Sequence, residues 1–185
     1  KIDGILVGNE VILRNDIPIQ NLSDRILDVK SKINSMGFNK TMPVSTSDIF
    51  SNNNITFINA VDAVWDNIHP YWYAVNITES ASWVFNTYNE SVVPLAENAS
   101  KDSVISEVGW PTDGNAQGPS VPSVQNLQIF LDTFICSANL KGIKYYYFEA
   151  FDIPWKKAIG LVEGSWGLFY PDRTMKPIIL PDCVV

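Results

Sequence analysis

Five short apolar runs, set apart by stretches with helical spacing, constrain this chain more than any other feature. The runs cover residues 4–10, 42–46, 63–69, 103–107 and 144–150. Three stripes at three- and four-residue intervals lie between them. One is Leu22, Ile26, Val29, Ile33 and Met36, stopped by Gly37; another is Ala81, Val84, Phe85, Tyr88 and Val92. The last is Val124, Leu127, Leu131, Phe134 and Ala138, closed by Gly142. Residues 48–60 fit neither period, and Asn52-Asn53-Asn54 reads as loop, as do residues 112–122. Near-continuous apolar strands alternating with amphipathic helices predict an α/β fold of parallel βαβ units with right-handed crossovers. No composition shift or low-complexity segment marks a boundary, so residues 1–185 read as one domain portion.

Composition narrows the partners. A net charge of −7 and a pI of about 4.6 argue against nucleic acid and anionic membrane, which need clustered Lys and Arg. No apolar run approaches the ~18 residues of a membrane span. The chain starts at Lys1, with neither Met nor a signal peptide, and reads as processed, trimmed or a fragment. Asn-x-Ser/Thr occurs six times, at Asn21, Asn39, Asn54, Asn76, Asn89 and Asn98, where composition predicts about two. That excess points to a secreted glycoprotein. In an oxidising compartment the two cysteines, Cys136 and Cys183, are expected to pair and to stabilise the fold by roughly 4 kcal/mol.

Two strands end alike, in Val7-Gly8-Asn9-Glu10 and in Ile105-Ser106-Glu107. In a parallel α/β fold both carboxylates emerge at the C-terminal face, where sites are built. Hydrolysis of a glycosidic bond needs such a pair, one protonated and one charged. Aromatic residues crowd the same strand ends. They are Trp110, the run His69-Pro70-Tyr71-Trp72-Tyr73, and Phe151-Asp152-Ile153-Pro154-Trp155-Lys156. Pyranose rings stack on such plates. His69, the sole histidine, reads as a hydrogen-bonded wall of the cleft. No Gly-x-Ser-x-Gly elbow accompanies it, and no metal-ligand spacing or phosphate loop is present. No metal or cofactor is expected.

These motifs resemble glycoside hydrolase family 17. The resemblance is carried by Val7-Gly8-Asn9-Glu10, Ser106-Glu107-Val108-Gly109-Trp110-Pro111, Tyr147-Phe148-Glu149-Ala150-Phe151-Asp152 with Trp155-Lys156, and Trp166-Gly167-Leu168-Phe169-Tyr170. Their wording is similar to the fungal branch of cell-wall β-1,3-glucan hydrolases and β-1,3-glucanosyltransferases. The resemblance implies a (β/α)8 TIM barrel, of which this chain holds the C-terminal five-strand portion. It makes Glu10 the acid/base, Glu107 the nucleophile, and Asn9 a hydrogen-bond partner of the sugar or the intermediate. Tyr71, Trp110, Glu149, Asp152 and Lys156 complete the substrate-binding set. Ile153 stands where plant members carry an acidic residue, which leaves Glu149 or Asp152 to substitute. A full barrel takes about 250 residues, so strands one to three are expected from the rest of the protein or from another chain.

The expected chemistry is retaining double displacement on β-1,3-glucan or laminari-oligosaccharides, ending on water or on a second glucan, in a secreted or cell-wall setting. The alternatives are a non-catalytic glucan-binding protein on the same scaffold, and a related barrel glycosidase acting on β-1,4 or mannan linkages.

Overall fold

A computed structural model describes residues 2–37 and 42–183; the sequon at Asn39 lies outside them. The strands are β1 (Ile5–Asn9), β2 (Val44–Ile49), β3 (Ala63–Asn67), β4 (Asp102–Val108) and β5 (Tyr145–Tyr147). The helices are α1 (Ile19–Ser35), α2 (Ile55–Ala60), α3 (Ile77–Thr87), α4 (Val93–Asn98), α5 (Val124–Leu140) and α6 (Pro154–Ala158). Strand order is β1-β2-β3-β4-β5, with β1–β2 and β2–β3 parallel. The α/β class with a parallel sheet is therefore as expected. The described sheet does not close on itself; β1 and β5 are its edges.

The chain divides into two compact units. The first comprises Lys1–Asn67 and Tyr88–Ser106. Its core gathers Leu22 and Ile26 of α1, Phe57 and Ile58 of α2, Val44 and Val64, and Val104 and Ile105 of β4. Strand β2 starts just past Pro43, whose missing N–H suits a strand start, and runs three residues further than the apolar run implied. Its Ser45, Thr46, Ser47 and Asp48 are all buried, which hides the strand from a reading by hydrophobicity. The stretch read as loop holds a 3-10 turn (Phe50–Asn52) and then α2. Asn54 caps α2, its side-chain oxygen accepting the Thr56 N–H at 2.8 Å. Strand β1 was expected to be buried, but Leu6 is 40% exposed because β1 is a sheet edge.

The second unit comprises Ile68–Thr87 and Glu107–Val185. Helices α3 and α5 pack through Phe85 and Phe134, stacked at 5.3 Å, and Phe130 stacks on Phe134 at the same spacing. Ser123 caps α5 by accepting the Asn126 N–H at 3.0 Å. Cys136 and Cys183 form the expected disulfide, tying the C-terminal segment to α5. The stripe expected to run as one helix to Val92 breaks after Thr87 into a π-helical turn (Tyr88–Val92), and Pro94 opens α4. The five described sequon asparagines are all exposed.

Candidate active site

In the first unit the end of β1 is a tight turn. Gly8 sits at φ +89°, and a Cβ there would lie 2.5 Å from Val11 Cγ2, so only glycine fits. Glu10 follows at φ +52°, and its N–H is donated to Ser47 O at 2.8 Å. The buried Asp48 pins the outgoing backbone, accepting from Ile12 N at 2.8 Å and from Leu13 N at 3.4 Å. Asn67, at the end of β3 and 1% exposed, faces this turn. Its Nδ2 donates to Glu10 Oε1 at 2.9 Å and to Asn9 Oδ1 at 3.1 Å. Its Oδ1 accepts from Ser47 Oγ at 2.6 Å and Ser106 Oγ at 2.8 Å, and the two hydroxyls lie 2.6 Å apart.

In the second unit Glu107 emerges near the end of β4 with its side chain 18% exposed. His69 Nε2 lies 3.1 Å from Glu107 Oε2. The imidazole is held edge-on against Trp166 at 4.8 Å and Phe148 at 5.5 Å. Its Nδ1 is buried with no hydrogen-bond partner among the described residues. With a proton on Nε2 the ring donates to the Glu107 carboxylate. Gly109, two residues on, is where Phe148 O comes so close that no Cβ could stand between them.

Glu149 is half-buried, with Oε1 unpartnered among the described residues. Burial above all, then the charges of Glu107 and Asp152, push its carboxyl up to about 7 against the pull of Lys156 and Lys176. Asp152 is buried in an ion pair with Lys176 Nζ at 2.7 Å, and it also accepts the Gly167 N–H at 2.9 Å. Lys176 in turn donates to Thr112 Oγ1 at 2.6 Å. Burial draws the Lys176 ammonium down, while Asp152 opposes that shift. Tyr71 is buried, its hydroxyl donated to Asn115 O at 2.6 Å. Trp72, 44% exposed, stacks over Trp166 at 6.2 Å.

The second unit thus gathers Glu107, in contact with His69, and a second carboxyl, Glu149, that feels its charge. The family model of the BtgE/BtgC glycoside hydrolase domain matches residues 1–167. The chain belongs to this family. Among its relatives, the btgC protein of Aspergillus niger is 36% identical over 97% of this chain and 29% of its own length. The glucan endo-1,3-beta-glucosidase btgC of Emericella nidulans is 32% identical over 97% of this chain and 30% of its own length. The glycoside hydrolase family 17 β-1,3-glucanosyltransferase of Rhizomucor miehei is 33% identical with TM-score 0.82, over 96% of this chain and 63% of that one. An active-site mutant of that organism's glucanosyltransferase, in complex with laminaritriose, has TM-score 0.86 at 32% identity, over 96% and 64%. The resemblance read from the motifs is thus borne out. This BtgE/BtgC-family chain spans less than a third of the curated relatives' length.

The expected site residues fall in two groups, one in each unit. The first unit carries Asn9, which is exposed, and Glu10, which is partly exposed. The second carries Glu107, Tyr71, Trp110, Glu149, Asp152 and Lys156. Trp110, expected as a plate for sugar, is 0% exposed, with its indole N–H donated to Val121 O at 3.1 Å. It packs on Phe130 at 6.3 Å and supports Tyr71 from within. Asp152 is equally committed inward, to Lys176. Lys156 is partly exposed, its Nζ 5.7 Å from the centre of the exposed Trp155 ring. Sequence reasoning missed Asn67, Ser47 and Lys176. The signal for Asn67 was available: it is a polar residue at a strand end, two positions before His69.

Proposed function

We propose that this family member is a retaining glycosidase or transglycosylase acting on β-1,3-glucan. Glu107 attacks the anomeric carbon while Glu10 protonates the departing sugar. Glu10 then deprotonates the incoming water or glucan hydroxyl. The observation that carries this reading is the Glu107 carboxylate, partly open to solvent and held by a buried His69. Family membership supports it, and so does the β-1,3-glucan chemistry named for the relatives. In this reading residues 1–185 are one catalytic-domain portion of a (β/α)8 barrel. The remaining strands come from the rest of the protein or from another chain.

Asn9, Glu149 and Lys156 bind the substrate, and Tyr71, Trp110 and Asp152 shape the wall behind it. The protein works outside the cell or in the cell wall. The Cys136–Cys183 bridge and the exposed sequons support that location. No helix of the described residues is long and apolar enough to cross a membrane.

The test is product analysis over time on laminari-oligosaccharides with the intact protein. Products longer than the substrate establish transfer, and shorter ones alone establish hydrolysis. Glu107→Ala is expected to lose either activity by at least about a thousandfold. Binding without turnover in the unaltered protein would instead support the glucan-binding alternative.

A further inference from the structure

We infer that Asn67 is a positioning residue for Glu10, reserving Oε2 of that carboxyl for the transferred proton. The inference rests on the proposed acid/base role of Glu10. Asn67 is fully enclosed at the end of β3, and both ends of its amide are engaged. Ser47 and Ser106 crowd the oxygen, and Asn9 Oδ1 and Glu10 Oε1 face the nitrogen. The reversed amide would set Oδ1 against those two acceptor oxygens, about 3 Å away, with no proton between it and a charged Glu10. The charged Glu10 therefore sets the amide with its nitrogen toward the Asn-Glu pair, the two serine hydroxyls donate to its oxygen, and in that setting the amide holds Oε1 as an acceptor.

Oε1 faces an N–H donor at 2.9 Å, so it must present a lone pair. A proton on Oε1 would confront the donor N–H. The acid form consequently carries its hydrogen on Oε2. That oxygen releases the proton to the leaving sugar in the first half-reaction and takes one back in the second, while the hydrogen bond to Oε1 persists through both. The same nitrogen reaches Asn9, so one buried side chain sets the attitude of both residues of the Asn-Glu pair. The turn alone does not do this: the positive φ of Glu10 and the Asp48 anchor place its backbone and leave its side chain to rotate.

The experiment compares kcat/KM of the intact protein on phenyl and 2,4-dinitrophenyl β-laminaribioside. Dinitrophenolate leaves without protonation, and phenolate needs it. Glu10→Gln is expected to lose on the order of 100-fold or more on the phenyl substrate and far less on the dinitrophenyl one. Asn67→Ala is expected to show the same selectivity, with a loss of about 10-fold to 100-fold confined to the phenyl substrate. Asn67→Leu, which keeps the volume, carries the test if the alanine variant does not fold. Equal losses on both substrates in the Asn67 variants, with Glu10→Gln selective, would overturn the inference and leave the Glu10 role standing. A Glu10→Gln variant without selectivity would overturn both.

Discussion

Asp66 holds a carboxyl at 0% exposure in β3, with Oδ1 unpartnered among the described residues and Oδ2 accepting from Asn53 Nδ2 at 3.0 Å. Burial pushes it up to about 7; the Asn53 hydrogen bond opposes that shift and the Asp48 charge adds to it. The folded chain keeps a proton that the unfolded chain releases near the ordinary carboxylate value, so the folded state binds more protons between about pH 4 and pH 7. The stability tied to this proton is complete below about pH 4 and drains away as pH rises to 7, a span of about 4 kcal/mol. Thermal unfolding across that range is expected to show a falling Tm. Asp66→Asn is expected to flatten the fall and to raise Tm at pH 7.5; parallel profiles would contradict the assignment. The places of Glu10 and Glu107 near strand ends were legible in the sequence because each stands in a Gly- or Trp-bearing motif after an apolar run. Asn67 and Lys176 were not, since their importance lies in partners 57 and 24 residues away in sequence. Trp110 was misread because an aromatic beside a carboxylate looks the same in sequence whether its ring faces solvent or the core.

Among the elements, α1, α3 and α5 could be read directly, because long stripes give the 3.6-residue period room to show. Helix α2 could not, being six residues long and announced only by its cap. The π-helical turn after α3 shifts the periodicity by a residue and was absorbed into one long stripe. Strand β1 illustrates a different limit. Its composition is that of a buried strand, and its exposure is decided by its place at the edge of the sheet. The turn that ends β1 is nevertheless strictly specified. The register with β2 slips between Leu6 and Asn9, and Gly8 takes up the slip at positive φ. Gly8→Ala is expected to cost about 1–3 kcal/mol, read as a lower Tm, and to depress turnover by moving Glu10.

At the scale of the whole molecule, the class was legible and the closure was not. Strand–helix alternation gives a parallel sheet whether the sheet is open or part of a barrel, and the described strands leave β1 and β5 as edges. The disulfide was reached through compartment, from the sequon excess, and it joins the pair expected. The central claim is that Glu107 becomes covalently linked to the sugar. Its most direct test incubates the intact protein with a 2-deoxy-2-fluoro-β-laminaribiosyl fluoride, followed by intact mass and peptide mapping. A single glycosyl adduct on Glu107, absent from Glu107→Gln, is the predicted result. Steady turnover of laminari-oligosaccharides with the label on another carboxylate, or with no adduct at all, would contradict it.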